Sequence, residues 1–254
     1  MTLEHLLSTM NLKVKDLDKM NISNPTIVIN QCGKDGYKKY KNFNIYASNS
    51  IGLSKSRNLG LKYVKGDIIL LTDDDIIYND NYTEIVLDAF KENKDADIIF
   101  FNIDCRNREY KPITKNKRVH IYNSLRFSSC SIAFRRKSIL ENNISFNELF
   151  GSNSKYMTGE DTLFIVSALR KGLKLYTNVN YIGTVFHEKS FWFNGYTEKY
   201  FYYKGAVYTA ISKKFRHILC FQHLLRHYNE YKKIGFFKAL KNMHKGMKDY
   251  LNET

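Results

Sequence analysis

Residues Ile68-Ile69-Leu70-Leu71 form a short apolar run that opens after Gly66-Asp67 and gives out at the acidic cluster Asp73-Asp74-Asp75. A run of that length, bounded by turn and polar residues, predicts a strand covered on both faces. In open sheets of this kind, ligands bind beyond the carboxyl ends of the strands. Three adjacent carboxylates at such an end repel one another, and a divalent cation relieves the repulsion. Oxygen ligands on a strand-end loop suit Mg²⁺ or Mn²⁺, which commonly complete their coordination with substrate phosphates. The other reading of the cluster is a solvated acidic turn.

The flanking segments extend the sheet. Residues 26–30, β-branched after Pro25, predict a strand that ends in polar Gln31-Cys32-Gly33. Further strands are expected over residues 5–9, ending at Ser8-Thr9, and over 43–47, 97–103 and 129–134. Helical patterns fall at 12–20, from a Ser54 cap to about Val64, and at 82–94, 137–141 and 162–171. Residues 105–120 read as a basic loop or hairpin. The alternation predicts an α/β protein with a mixed central sheet and flanking helices. No Gly-x-Gly-x-x-Gly follows a strand and no Gly-Lys-Ser/Thr loop is present, so the common dinucleotide and P-loop motifs are excluded.

Residues 198–250 read as helical throughout. Phe236, Leu240, Met243 and Met247 recur at helical steps, and Lys238, Lys241, Lys245 and Lys248 recur on the opposite face. Such a helix either packs on the core with a solvated basic face or lies on an anionic bilayer surface. The expected organisation is a main domain over 1–195 and a basic helical C-terminal extension over 196–254. That extension holds 12 Lys/Arg against 4 Asp/Glu, about half of the chain's net charge of +15. Negatively charged partners follow: a nucleotide, an anionic lipid surface or nucleic acid. The chain matches no helix-turn-helix, zinc-finger or RNA-recognition signature, which disfavours nucleic acid.

Cys32, Cys105, Cys130 and Cys220 are widely spaced without a Cys-x-x-Cys pair, which suits isolated thiols in a reducing compartment. The start lacks a signal-peptide pattern, and no apolar run approaches the roughly 20 residues of a membrane span. The expected location is cytoplasmic, with peripheral attachment to the inner face of the membrane open.

Two further elements carry chemistry. Gly159-Glu160-Asp161 precedes the helix expected at Thr162. Acids there are favoured by the helix dipole as a cap, and they also suit a fixed general base. His187, in Val185-Phe186-His187-Glu188-Lys189, is either structural or a nitrogen ligand for the same metal.

The order of these elements resembles that of family 2 glycosyltransferases of the GT-A fold, over roughly residues 5–195. Gly52-Leu53-Ser54-Lys55-Ser56-Arg57-Asn58-Leu59-Gly60-Leu61, followed by Gly66 to Asp75, is similar to their Ala-Arg-Asn segment and acidic strand end. Glu160-Asp161 looks like their Glu-Asp motif, His187 falls where many relatives carry a histidine, and Ser8-Thr9-Met10-Asn11 is similar to their first strand end.

The resemblance implies inverting transfer of a sugar from a nucleotide-diphosphate donor, a UDP-sugar foremost, to a hydroxyl of a glycan or lipid-linked acceptor in bacterial surface polysaccharide synthesis. It makes Asp75 the Mn²⁺ or Mg²⁺ ligand, with Asp73 and His187 as further ligands and Asp74 as an alternative. Ser8, Thr9, Asn30, Gln31, Arg57, Asp73 and Asp74 would surround the nucleotide. Asp161 would take the acceptor proton, and Glu160 would orient the acceptor. Trp192, within the aromatic run after His187, is the candidate acceptor platform. One departure stands out: relatives end the second strand with an aspartate that reads uracil, where this chain has Asn30-Gln31. A side-chain amide still offers one acceptor and two donors.

Two other classes remain. A haloacid-dehalogenase-like phosphoryl-transfer enzyme also sets Asp-x-Asp after a buried strand, but Ile77 stands where Thr or Val is usual. A non-enzymatic basic module binding polyanions or membrane fits the charge, yet gains nothing from clustered carboxylates.

Overall fold

The computed structural model describes residues 1–105, 111–127, 129–185 and 195–254. The first part of the chain forms β1 (Leu3–Met10), β2 (Thr26–Gln31), the hairpin β3 (Gly36–Tyr40) and β4 (Phe43–Ser48), and, after helix α1 (Leu53–Leu61), β5 (Ile68–Asp73). Strands β4, β2, β1 and β5 lie side by side and parallel, so their carboxyl ends share one rim. The register sets Ser8 beside Asp73 and Thr9 beside Asn30.

The sheet continues through β6 (Ile76–Tyr78), β7 (Ile98–Cys105), β8 (Arg118–Val119), β9 (Ile132–Arg135) and β10 (Leu175–Val185). The order is β3-β4-β2-β1-β5-β9-β7-β10-β6, with β8 also on β10. Antiparallel β9 between β5 and β7 makes the sheet mixed.

Alternation along each strand divides the core. Leu7 and Leu70 point into one hydrophobic layer, while Leu6, Ile69 and Leu71 point into the other. Ile68 to Leu71 are fully buried, as a strand covered on both faces requires. Burying each such side chain stabilises the fold by about 1.5–3 kcal/mol. Helix α2 (Tyr82–Glu92) closes one layer, with Tyr82, Val86, Ala89 and Phe90 buried. α3 (Arg136–Glu141) and α4 (Glu160–Arg170) help close the other. Helix α1 lies directly on β1, because a Cβ at Gly60 would sit 2.0 Å from the Leu6 side chain. Beneath β5, neutral His5 bonds Thr72 at 2.8 Å and Tyr82 at 3.0 Å, and burial pulls its pKa down to about 3.

Several expectations are corrected. Ser54 does not cap α1: it is buried within the helix and donates to the Phe150 carbonyl at 2.7 Å, and α1 stops at Leu61. The 12–20 segment is a 3₁₀ turn over Val14–Met20. Residues Ser129–Ser131 are also a 3₁₀ turn, so β9 starts later than expected. Helix α4 begins at Glu160, which places both motif acids in its first turn. The C-terminal region is not one helical run. It is α5 (Glu198–Ile211), α6 (Arg216–Arg226) and α7 (Phe236–Leu251), separated by non-helical connections.

Helix α7 crosses α5 with backbones in close approach, since a Cβ on Gly205 or Gly246 would meet the partner helix's carbonyl oxygen at 2.0 or 1.9 Å. Its buried face comprises Ala239, Met243, Met247 and Tyr250, while Lys238, Lys241, Lys245 and Lys248 are exposed. α5 in turn shares a core with α4 through Val207, Ala206, Leu163 and Val166. Among the described residues no helix is long and apolar enough to cross a membrane.

Candidate active site

The common strand rim collects the expected residues, but not all of them face outward. Ser8 is buried and accepts from the Ser56 hydroxyl at 2.9 Å. Gln31 is also buried: its Oε1 accepts from Gly52 N–H at 2.7 Å, and its Nε2 donates to the Thr9 carbonyl at 3.4 Å. These two side chains hold the rim together. Asn30 is half-buried, and its Oδ1 accepts from Leu12 N–H at 3.0 Å. The Thr9 hydroxyl donates to Asp74 Oδ2.

Asp74 and Asp75 line a cleft of about 440 Å³ with Thr9, Leu12, Lys13 and Lys19. The two lysines went unread in the sequence because they sit in a helical pattern where a solvated charge is ordinary. A larger cleft of about 680 Å³, bordered by Lys55, Asn58, Lys62 and Ile139, contains none of the expected residues.

Arg57 joins the two acidic motifs. It is 1% exposed. Its Nη1 donates to Asp161 Oδ1 at 2.6 Å, and its Nη2 donates to Asp73 Oδ1 at 3.2 Å. Glu160 Oε1 lies 4.0 Å from Nη1, and the guanidinium sits 5.2 Å from the Phe146 ring centroid. Burial opposes the Arg57 charge, but Asp161, Asp73 and Glu160 together hold the guanidinium firmly protonated. A planar fork suits this bridging task as a lysine does not.

Glu160 lies farther from the guanidinium than either aspartate. Burial first, and then the charge of Asp161, push its pKa up to about 7 against the opposing pull of Arg57. Proton exchange by this carboxyl is therefore poised near neutrality. Gly159, at φ +97°, turns the chain into α4 and lets α5 close on the turn: a Cβ there would fall 2.4 Å from Val207 Cγ2. α5 also brings Lys204, whose pKa burial lowers while Glu160 opposes that shift. Lys204 was not foreseen, because nothing in its local sequence links it to a motif some forty residues earlier.

Among the described residues, no group of three or more His, Cys, Asp or Glu side chains is arranged to hold a metal ion. Asp74 and Asp75 nevertheless supply hard oxygen donors at an open cleft. Mg²⁺-type sites commonly use one or two carboxylates and fill the remaining positions with water and phosphate. His187 and Trp192 lie outside the described residues.

Comparison with known proteins bears on this arrangement. The family model described as glycosyl transferase family 2 matches residues 29–173, which include Arg57, the Asp73–Asp75 cluster and the Glu160-Asp161 pair. A search of curated proteins found no significant match. Among solved structures, residues 1–349 of S. aureus TarS in complex with UDP-GlcNAc share the fold with a TM-score of 0.69 at 17% identity, over 99% of this chain and 81% of that one. The same TarS fragment in complex with UDP gives 0.63 at 14% identity, over 100% and 92%. A longer TarS structure gives 0.63 at 16% identity, over 93% of this chain and 45% of that one. The fold is therefore GT-A, and with the family model spanning more than half of its length, the chain belongs to glycosyl transferase family 2.

Proposed function

We propose that this glycosyltransferase moves a sugar, with inversion, from a UDP-sugar to a hydroxyl of a glycan or lipid-linked acceptor in surface polysaccharide synthesis. The carrying observation is the Arg57 bridge: one buried guanidinium bonds Asp73 on the donor-side rim and Asp161 at the start of α4. Donor and acceptor chemistry thereby meet at one point. The TarS complexes with UDP and UDP-GlcNAc, which share the fold, support a uridine donor. Residues 196–254 serve in this reading as a basic helical extension.

Asp75 and Asp74 would hold Mn²⁺ or Mg²⁺, with His187 as a further ligand. When bound, such an ion neutralises charge developing on the leaving diphosphate. Lys13 in the same cleft adds positive charge for that group, while Lys19 there is paired with Asp16 at 2.7 Å. Gln31 bonds the backbone through both amide groups and Asn30 Oδ1 accepts from Leu12 N–H, so Asn30 Nδ2 is the rim group that would donate to a carbonyl of the base. The Arg57 fork keeps Asp161 fixed, and Asp161 takes the acceptor proton as the hydroxyl attacks the anomeric carbon from the face opposite the departing diphosphate. Trp192 offers an acceptor platform.

A second assignment of the base is favoured by one observation. Burial pushes the Glu160 pKa up to about 7, so this carboxyl exchanges its proton near neutral pH, as a general base must. The pH–rate profiles of Asp161→Asn and Glu160→Gln separate the two assignments, since loss of the true base removes the acidic limb.

The donor reading is tested by thermal shift with UDP, GDP, CDP and TDP, each with and without Mn²⁺. A Mn²⁺-dependent rise with UDP is expected. No rise with any nucleotide would sink the reading.

A further inference from the structure

Helix α6 is apolar on two opposite faces. Cys220, His223 and Leu224 point inward, and Cys220 and Leu224 join Phe201, Tyr231 and Met243 in a local core. On the outside, Phe215, Ile218, Phe221 and Leu225 are 51%, 65%, 51% and 59% exposed. Their steps of three, three and four residues keep them on one stripe, about half a turn from the buried face. The stripe continues across to α7: the Phe221 ring is 6.1 Å from Phe236, and Phe237 beside it is 84% exposed. Scattered apolar residues on a surface are ordinary, but a contiguous stripe marks an interaction site.

The surroundings of the stripe are cationic. Between residues 212 and 241 the chain carries eight Lys/Arg and one acid, Glu230. Lys213, Lys214, Arg226, Lys232, Lys233 and Lys238 are all exposed. An exposed apolar stripe within a field of cations is complementary to an anionic bilayer, whose headgroups attract the cations while its acyl boundary accepts the apolar side chains. A cationic surface facing a second identical copy would instead bring like charges together.

We propose that the outer face of α6, extended by Phe237, docks this enzyme flat on an anionic phospholipid membrane. The lysine face of α7 adjoins this surface through Phe237, one turn before Lys241, and α6 supplies the rest of the exposed apolar stripe. The inference does not depend on the identity of donor or metal. α5, packed on both α6 and the Gly159 turn, ties the docked surface mechanically to the catalytic side of the molecule.

The test is co-sedimentation of the full chain with vesicles of pure phosphatidylcholine and with vesicles of equal parts phosphatidylcholine and phosphatidylglycerol. Binding to the anionic vesicles alone is expected. The paired variant Ile218→Ser/Leu225→Ser keeps the net charge and should bind about tenfold to a hundredfold more weakly. Because both side chains are exposed, the far-UV spectrum and melting temperature should stay those of the wild type. Replacing Lys213 and Lys214 by Gln should also weaken binding and reduce its dependence on salt.

Three results overturn the proposal: no binding to anionic vesicles, equal binding by the Ile218→Ser/Leu225→Ser variant, or a lipid-free dimer that the same variant dissolves. The last would assign the stripe to self-association.

Discussion

Replacing Arg57 by Met should expose how far the two halves of the site depend on one cation. The substitution keeps an unbranched apolar stem but removes the guanidinium that bonds Asp161 and Asp73, faces Glu160 and lies over Phe146. Breaking a buried ion pair on one side typically costs about 3–5 kcal/mol. Asp73 is 34% exposed and so partly screened, whereas Asp161 and Glu160 are 15% and 13% exposed. The lower figure, about 3 kcal/mol, is therefore expected, or a fall in melting temperature of roughly 6–12 °C.

The loss should also depend on pH. Glu160 titrates near 7 in the native state and near its ordinary value of 4.5 when unfolded, so the native state binds the extra proton between these limits. Stability consequently falls as pH rises through that window. Without Arg57 the native pKa of Glu160 moves higher still, so the destabilisation is larger at about pH 8 than at about pH 5.5. Thermal unfolding of both proteins at the two pH values measures it. A melting temperature within about 2 °C of the wild type at both would refute the bridge as a structural necessity.

Three more outcomes are expected. Glu160→Gln should stabilise the fold above pH 7 by at most about 3 kcal/mol, with the gain vanishing below the ordinary carboxylate range, as read from urea unfolding across pH. Asp161→Asn should cut sugar transfer by about 10²–10⁴-fold while UDP binding stays within a few-fold, as measured by turnover and calorimetry. Gly159→Ala should destabilise by about 1–3 kcal/mol, because it strains a positive φ and drives a methyl into Val207, and Val207→Ala in that background should recover part of the loss in urea unfolding.

Local sequence carried the parts of the molecule that depend on local chemistry. The buried β5 run and its acidic end, the β-branched β2 and the Glu-Asp pair at a helix start were all legible, because each rests on a short period or a dipole preference. β10 was not read as a strand. Its residues Thr177, Asn178, Asn180 and Gly183 interrupt any alternation, and its pairing with β7 shifts register twice. Asn102 absorbs that irregularity by donating to the Val179 and Ile113 carbonyls at 2.8 and 2.9 Å.

The Arg57–Asp161 bond joins residues 104 positions apart, and it forms where Ser54 and Asn58 of α1 bond the Phe150 and Phe146 carbonyls of the segment leading to α4. Ser8 and Gln31 were rightly placed at the rim, but the hydrogen bonds that turn them inward come from Ser56 and Gly52 on and just before α1. Residues 216–226 were read only as helical, and which of their apolar side chains pack inward as α6 follows from the neighbouring helices α5 and α7.

Asp75, at the open cleft beyond β5, is the side chain on which metal-linked donor binding turns in the proposed site. Calorimetric titration of UDP into the wild type and into Asp75→Asn, each with Mn²⁺ and with chelator, isolates the metal-linked part of donor binding. Binding to the wild type that Mn²⁺ strengthens, with that gain lost in Asp75→Asn, is the predicted result. Equal UDP affinity in both proteins, insensitive to Mn²⁺, would contradict a donor site built on the acidic end of β5.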